Sequence, residues 1–92
     1  MVAGHVSTIK PDATTLSYRA ARKLADGFRR GLSLVVDLAE IDNATTAGLA
    51  KLVVLRGALR RGGGDLRLAN LHGRVRRLYE LNRLGGVLPC EL

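Results

Sequence analysis

Cysteine, histidine and aromatic side chains are all scarce in this chain of 92 residues. The single cysteine, Cys90, excludes a disulfide framework and a cysteine-based metal site. Three aromatic residues are too few for the stacking platforms of single-strand nucleic-acid binders. No apolar run approaches the roughly 20 residues that span a bilayer, and the N-terminal segment lacks the basic and apolar regions of a signal peptide. We therefore expect a cytoplasmic protein with no membrane insertion.

Groups that could carry catalysis are equally few. His5 and His72 are the only histidines, and Cys90 is expected to be a bystander. His72 falls in a strand-to-helix turn, where a histidine is usually solvated or capping. The glycines of residues 62–64 follow a predicted helix and precede a strand, the reverse of a phosphate-binding loop. The sequence thus predicts no catalytic residues, no metal and no cofactor, and indicates that the protein is not an enzyme.

Positive charge is in excess, with 15 Lys and Arg against 8 Asp and Glu, a formal net charge of +7. Such a balance suits nucleic acid, anionic lipid or an acidic protein partner. A nucleic-acid footprint would be built from the arginines that cluster in the second half of the chain: Arg56, Arg60, Arg61, Arg74, Arg76, Arg77 and Arg83. The alternative is a solvated arginine-rich surface, and we favour it.

Hydrophobic periodicity alternates between strand and helix along the whole chain. Strands are predicted at residues 6–9, 32–38 and 66–71, helices at 16–30, 46–61 and 73–83, and a short strand or extended tail at 87–89. This order predicts one α/β domain over residues 1–92, with a small parallel or mixed sheet of about four strands and three amphipathic helices. Because residues 32–38 are almost continuously apolar, we expect a central strand covered on both faces.

Apolar residues recur at three- and four-residue steps in each predicted helix, which indicates the face that packs on the sheet. The first helix has a cap region at residues 13–15. The residues expected to be buried are Leu24, Phe28, Leu49, Leu52, Val53, Leu59, Val75 and Leu78.

The loop between the central strand and the second helix is the most informative segment. Thr45 and Thr46 place two hydroxyls at the N-terminus of a helix, at the carboxyl end of a strand, where sites of α/β proteins gather. One interpretation is helix capping, by a threonine or by Asp42 or Asn43. The other is a binding site.

Several short motifs occur in an ungapped order from residue 32 to 89. They are Leu34-Val-Val-Asp-Leu38, Ala44-Thr-Thr-Ala-Gly-Leu49, Leu55-Arg-Gly-Ala-Leu-Arg-Arg-Gly62, Leu66-Arg-Leu-Ala-Asn-Leu71 and Val75-Arg-Arg-Leu-Tyr-Glu-Leu-Asn-Arg-Leu84. In this order they resemble the STAS domain of anti-sigma factor antagonists. Family members usually begin with two strands, for which the region before residue 16 is short. In the resemblance Thr46 takes the place of the phosphoacceptor serine and Thr45 that of the preceding aspartate.

The resemblance implies a regulatory module that binds a serine-kinase anti-sigma factor and acts in transcription by partner switching. Thr46 is then the phosphoacceptor candidate, and the partner-binding residues are Asp42, Asn43, Thr45, Thr46, Ala47 and Gly48. The string from Thr46 to Ala50 also resembles the STAS subunit of the bacterial ABC transporter that maintains outer-membrane lipid asymmetry. That resemblance implies a threonine that contacts the ATPase subunit and is not a phosphosite.

Overall fold

The computed structural model describes residues 6–27 and 31–91. Strands and helices alternate within them much as the sequence predicts. The elements are β1 (Val6–Ile9), β2 (Thr15–Leu16), α1 (Tyr18–Leu24), β3 (Ser33–Asp37), β4 (Asn43–Ala44), α2 (Thr46–Arg61), β5 (Leu66–Ala69) and α3 (Gly73–Leu81). Short 3-10 turns follow α1 at Ala25–Gly27 and α3 at Leu84–Gly86.

The main sheet has the strand order β1-β3-β5, and both strand pairs are parallel. The prediction of a central strand at residues 32–38 is therefore confirmed. Beyond β5 the chain returns along the sheet, because the Leu68 amide donates to the Pro89 carbonyl and the Glu91 amide donates to the Leu68 carbonyl, at 2.8 and 2.7 Å. This parallel bridge pairs Leu68 with Cys90, one residue beyond the predicted segment 87–89, whose first two residues form a turn and a bend.

In the part of the chain that the structure describes, the helices cover one face of the sheet. Leu34 and Val36 of β3 are buried, whereas Ser33, Val35 and Asp37 are only partly buried. All three helices contribute to one cluster of buried side chains on the Leu34 face. The prediction that β3 is covered on both faces is wrong, because every described helix packs on the Leu34 face and the other face carries Ser33, Val35 and Asp37. The extent of the domain, residues 1–92, stays a prediction.

The buried faces of the helices agree largely with the predicted ones. Leu24, Leu49, Leu52, Leu59 and Val75 are buried, whereas Val53 and Leu78 are partly buried at the edge of the cluster. Phe28 lies outside the described residues. Leu55, which the prediction left out, is buried as well, and Val54 is 59% exposed.

Helix α1 is shorter than predicted at both ends. Leu16 was expected to begin it but is buried in β2, where it pairs with Ala44. The cap is Ser17, whose Oγ accepts from the Ala20 amide at 3.1 Å, and the predicted cap region at residues 13–15 is wrong. The pairing of β2 with β4 takes the backbone of Leu16 away from the helix.

The turn after α2 is closed by glycine and by an ion pair. A Cβ on Gly64 would lie 1.8 Å from the Leu32 carbonyl oxygen, so only glycine fits this approach. Arg56 Nε donates to Asp65 Oδ1 at 2.8 Å and Arg56 Nη1 donates to the Val87 carbonyl at 3.0 Å. Arg56 therefore ties α2 to the start of β5 and to the C-terminal segment.

Candidate partner-binding site

The loop from β3 to α2 is held on one side by β2. The amides of Asp42 and Thr45 donate to the carbonyls of Thr14 and Leu16, at 2.8 and 3.0 Å. Between these two bonds Asn43 and Ala44 pair with β2 as β4, and the side chain of Ile41 is buried in the core. The loop has a fixed path because both its backbone and one apolar side chain are anchored.

On the other side the loop is held by the segment between β5 and α3. Asp37 Oδ1 accepts from Asn70 Nδ2 at 2.8 Å and from the Ala39 amide at 3.0 Å. These two bonds, that of Asn70 foremost, hold the pKa of the Asp37 carboxyl below its ordinary value. Asn70 has a positive φ of 58°, one of the few such non-glycine residues.

His72 completes this second anchor. Its Nε2 lies 3.2 Å from the Leu38 carbonyl oxygen and 3.0 Å from that of Ala39. His72 occupies the N-cap position of α3, but its side chain makes no capping bond. The prediction of a capping histidine is therefore wrong, whereas His72 is exposed to solvent as the alternative prediction has it, and its imidazole also joins two loops. The convergence of parallel strand ends at one edge could have indicated these contacts from the sequence.

The two threonines at the start of α2 have different roles. Thr45 is the N-cap, and its Oγ1 accepts from the Gly48 amide at 2.9 Å. Thr46 is the first residue of the helix, its side chain is exposed, and its hydroxyl makes no hydrogen bond with any described residue. Asp42 and Asn43 are not caps, since Asn43 Oδ1 accepts from the adjacent Ala44 amide instead. Capping therefore accounts for Thr45 and leaves the Thr46 hydroxyl available.

Five of the six predicted partner-binding residues are exposed, and the sixth is buried beneath them. Asp42, Asn43, Thr45, Thr46 and Ala47 are exposed, whereas Gly48 is buried. A Cβ on Gly48 would lie 2.2 Å from the Leu16 carbonyl oxygen. The absence of a side chain at Gly48 lets α2 approach β2 this closely, so its structural contribution is to packing. A partner contact at any of the six stays a prediction.

The arginines and the cysteine considered in the sequence lie in different environments. Of the seven arginines in the nucleic-acid footprint, Arg56 pairs with Asp65 and Arg76 pairs with Glu80. Burial raises the pKa of the Cys90 thiol, which is the direction of an unreactive cysteine. Within residues 6–27 and 31–91, no group of three or more His, Cys, Asp or Glu side chains could hold a metal ion.

A family model for the STAS domain matches residues 14–90, which include β2 and every element after it. The chain belongs to the STAS family. No curated protein matches the chain. As a STAS domain it is a regulatory or binding module of a kind that generally mediates protein–protein interactions. No helix among the described residues is long and apolar enough to cross a membrane.

Proposed function

We propose that this STAS domain is a non-enzymatic, cytoplasmic antagonist of an anti-sigma factor, which it binds through the exposed loop around Thr45 and Thr46. The proposal rests on the different roles of the two threonine side chains. The Thr45 side chain caps α2, and the exposed Thr46 hydroxyl makes no hydrogen bond within the described residues. A serine-kinase anti-sigma factor is the partner that the STAS resemblance implies.

Phosphorylation of Thr46 is the switch in this proposal. A phosphate brings about −1.5 to −2 charges, and the N-terminus of α2 accommodates negative charge. The domain should therefore stay folded when it is modified. At a partner interface the same charge is desolvated without a counterpart, which opposes binding. Modification thus separates the complex and leaves the fold intact.

The test uses a serine-kinase anti-sigma factor, to be sought among the genes that neighbour this one and then purified. Calorimetric titration compares wild type with Thr46→Glu, while melting curves report folding. We expect the variant to be folded and to bind at least about ten-fold more weakly, which corresponds to about 1.4 kcal/mol. Wild-type affinity of a well-folded Thr46→Glu domain would rule out the proposal.

A second candidate function is that of a STAS accessory subunit docked on the ATPase of an ABC transporter. The neutral side chain of Thr45 favours it, because Thr46 has no adjacent carboxylate where antagonists carry an aspartate. In this function the Thr46 hydroxyl is a constant contact and is never modified. Incubation with the partner and ATP, followed by mass spectrometry of the STAS domain, distinguishes the two: phosphate on Thr46 supports the antagonist, and its absence supports the subunit.

A further inference from the structure

Helices α1 and α2 share an exposed surface that begins at Thr46. The two helices meet where Gly48 packs against the backbone of Leu16 and Ser17. One turn further along α2, Lys51 Nζ lies 5.6 Å from the centroid of the Tyr18 ring, a cation–π distance. We call this surface the α1–α2 face, and its residues are Tyr18, Arg22, Thr46, Ala50, Lys51 and Val54.

The α1–α2 face is continuous by helical geometry. Thr46, Ala50 and Val54 are four residues apart, so their side chains form one line of about 12 Å on α2. All three are exposed. Tyr18 and Arg22 have the same spacing on α1 and are also exposed. A partner that reaches Thr46 therefore meets Val54 and Tyr18 without crossing a buried segment.

Two large apolar side chains are left open to solvent on this face, since Tyr18 is 50% and Val54 is 59% exposed. Tyrosine and arginine, here Tyr18 and Arg22, are among the residue types enriched where binding energy is concentrated at protein interfaces. Helix α3 also exposes a large apolar side chain, Leu81, at 72%, but it does not expose an aromatic ring. Its Tyr79 is partly buried with a hydroxyl that donates to the Leu88 carbonyl at 2.7 Å, and its Arg76 is paired with Glu80.

The charge beside Tyr18 and Val54 is mainly positive. A shallow depression of about 250 Å³ on α1 is lined by three cations, Arg19, Arg22 and Lys23, and by one carboxylate, Asp26. The ion pairs formed within the described residues do not include any of these cations or Lys51. A complementary surface must therefore supply carboxylates.

We propose that the α1–α2 face is the docking surface for a protein partner that presents carboxylates around an apolar side chain. The apolar group would contact Tyr18 and Val54, and the carboxylates would lie opposite Lys51 and Arg22. This inference rests on the proposed function, because it extends the contact that begins at Thr46. It also gives the phosphate a specific effect: negative charge at Thr46 opposes an acidic partner along the whole face.

The test uses a synthetic helical peptide with leucines along one face and glutamates flanking those leucines on both sides of the same face. The peptide is titrated into the full chain at low salt and followed by amide chemical shifts. We expect the shifts to be concentrated at Tyr18, Arg22, Lys51 and Val54. Lys51→Glu and Tyr18→Ala should each weaken binding by about ten-fold, whereas the matched control on α3, Arg77→Glu, should change it less than about two-fold.

Three results would overturn the inference. They are amide chemical-shift changes centred on α3, an equal loss of peptide binding in Lys51→Glu and Arg77→Glu, and salt-dependent binding of random duplex DNA at the same residues that is stronger than binding of the peptide. The outcome is separable from that of the proposed function. If the cognate partner is lost in Thr46→Glu but retained in Lys51→Glu and Tyr18→Ala, the loop interface stands and the α1–α2 face does not contribute to it.

Discussion

The side-chain oxygen of Thr45 accepts a hydrogen bond of 2.9 Å from the backbone amide of Gly48. This bond satisfies one of the amides that every helix leaves unpaired at its N-terminus. It also joins the residue that caps α2 to the glycine that lets α2 pack against β2. Thr45 and Gly48 therefore set the position of Thr46, and the Thr46 hydroxyl does not contribute to it.

Removal of the cap should destabilise the domain, whereas removal of the neighbouring hydroxyl should not. We expect Thr45→Ala to lower the free energy of unfolding by about 0.5–2 kcal/mol, because the Gly48 amide loses its acceptor. Thr46→Ala should change it by less than about 0.5 kcal/mol, as an exposed substitution. Urea denaturation of both variants tests this. Equal losses, or a larger loss in Thr46→Ala, would contradict the assignment of the cap.

The two interior glycines of α2 should respond to alanine with opposite signs. A Cβ on Gly48 would meet the Leu16 carbonyl oxygen at 2.2 Å, so α2 must shift and we expect a loss of about 1–3 kcal/mol. A Cβ on Gly57 meets only the far end of Arg61 at 3.7 Å. Gly57→Ala should therefore gain up to about 1 kcal/mol from helix propensity.

Melting curves of the two glycine variants provide matched controls for each other, since the chemical change is the same on one helix. A neutral Gly48→Ala would mean that α2 can move away from β2 at little cost. The support assigned to Gly48 beneath the loop would then be wrong.

The ion pair between Arg56 and Asp65 should make the stability of the domain depend on pH in the acidic range. The bond from Arg56 holds the pKa of the Asp65 carboxyl below its ordinary value of 3.8. When the pKa of a carboxyl is lower in the folded state than in the unfolded state, its ionisation stabilises the fold at pH values above the unfolded-state pKa. This stabilisation is lost as the pH falls through the folded-state pKa. The stability difference between wild type and Asp65→Asn should thus be largest near neutral pH and shrink below about pH 4.

Thermal unfolding at a series of pH values measures that difference. Arg56→Gln should remove most of the same pH dependence, and Asp65→Asn should add little to it in the double variant. A difference between wild type and Asp65→Asn that stays constant from neutral to acidic pH would show that the Asp65 carboxylate does not stabilise the fold through its charge.

Periodicity predicted the elements that bury a long apolar face. The predicted bounds of α2, residues 46–61, are those of the structure, because sixteen residues of helical pattern end in a glycine turn. The two-residue strands β2 and β4 could not be predicted, since they are fixed by pairing between distant segments and have no period of their own. For the same reason Leu16 was assigned to a helix and lies in a strand.

The sequence predicted where the candidate loop lies in the fold, but only part of its internal contacts. The order of strand and helix places residues 40–49 at the carboxyl end of β3, and the STAS resemblance indicated Thr46. Which threonine caps α2 depends on backbone angles that the sequence does not encode locally, since either hydroxyl could serve. The order of parallel strands could have placed His72 and Asn70 near the β3 loop, but no sequence spacing specifies the bonds that they make there.

Charge at Thr46 should affect folding through the helix dipole alone. Thr46 is the first residue of α2, where the unpaired amides favour a carboxylate and disfavour an ammonium by about 0.3–1 kcal/mol each. We expect Thr46→Glu to melt slightly above wild type and Thr46→Lys slightly below it, with the two variants a few degrees apart for a domain of this size. Differential scanning calorimetry at low salt and at about 1 M salt tests the cause, because salt at that level screens exposed charges and should bring the two melting temperatures together.

The comparison also decides whether a glutamate is a sound mimic of the phosphate, since a folded and slightly stabilised Thr46→Glu domain can lose its partner only through the interface. If Thr46→Glu melts well below wild type, or if the two variants melt together at low salt, then Thr46 interacts with the fold in a way that its exposed, unbonded hydroxyl does not show, and loss of binding in Thr46→Glu would no longer identify a partner contact.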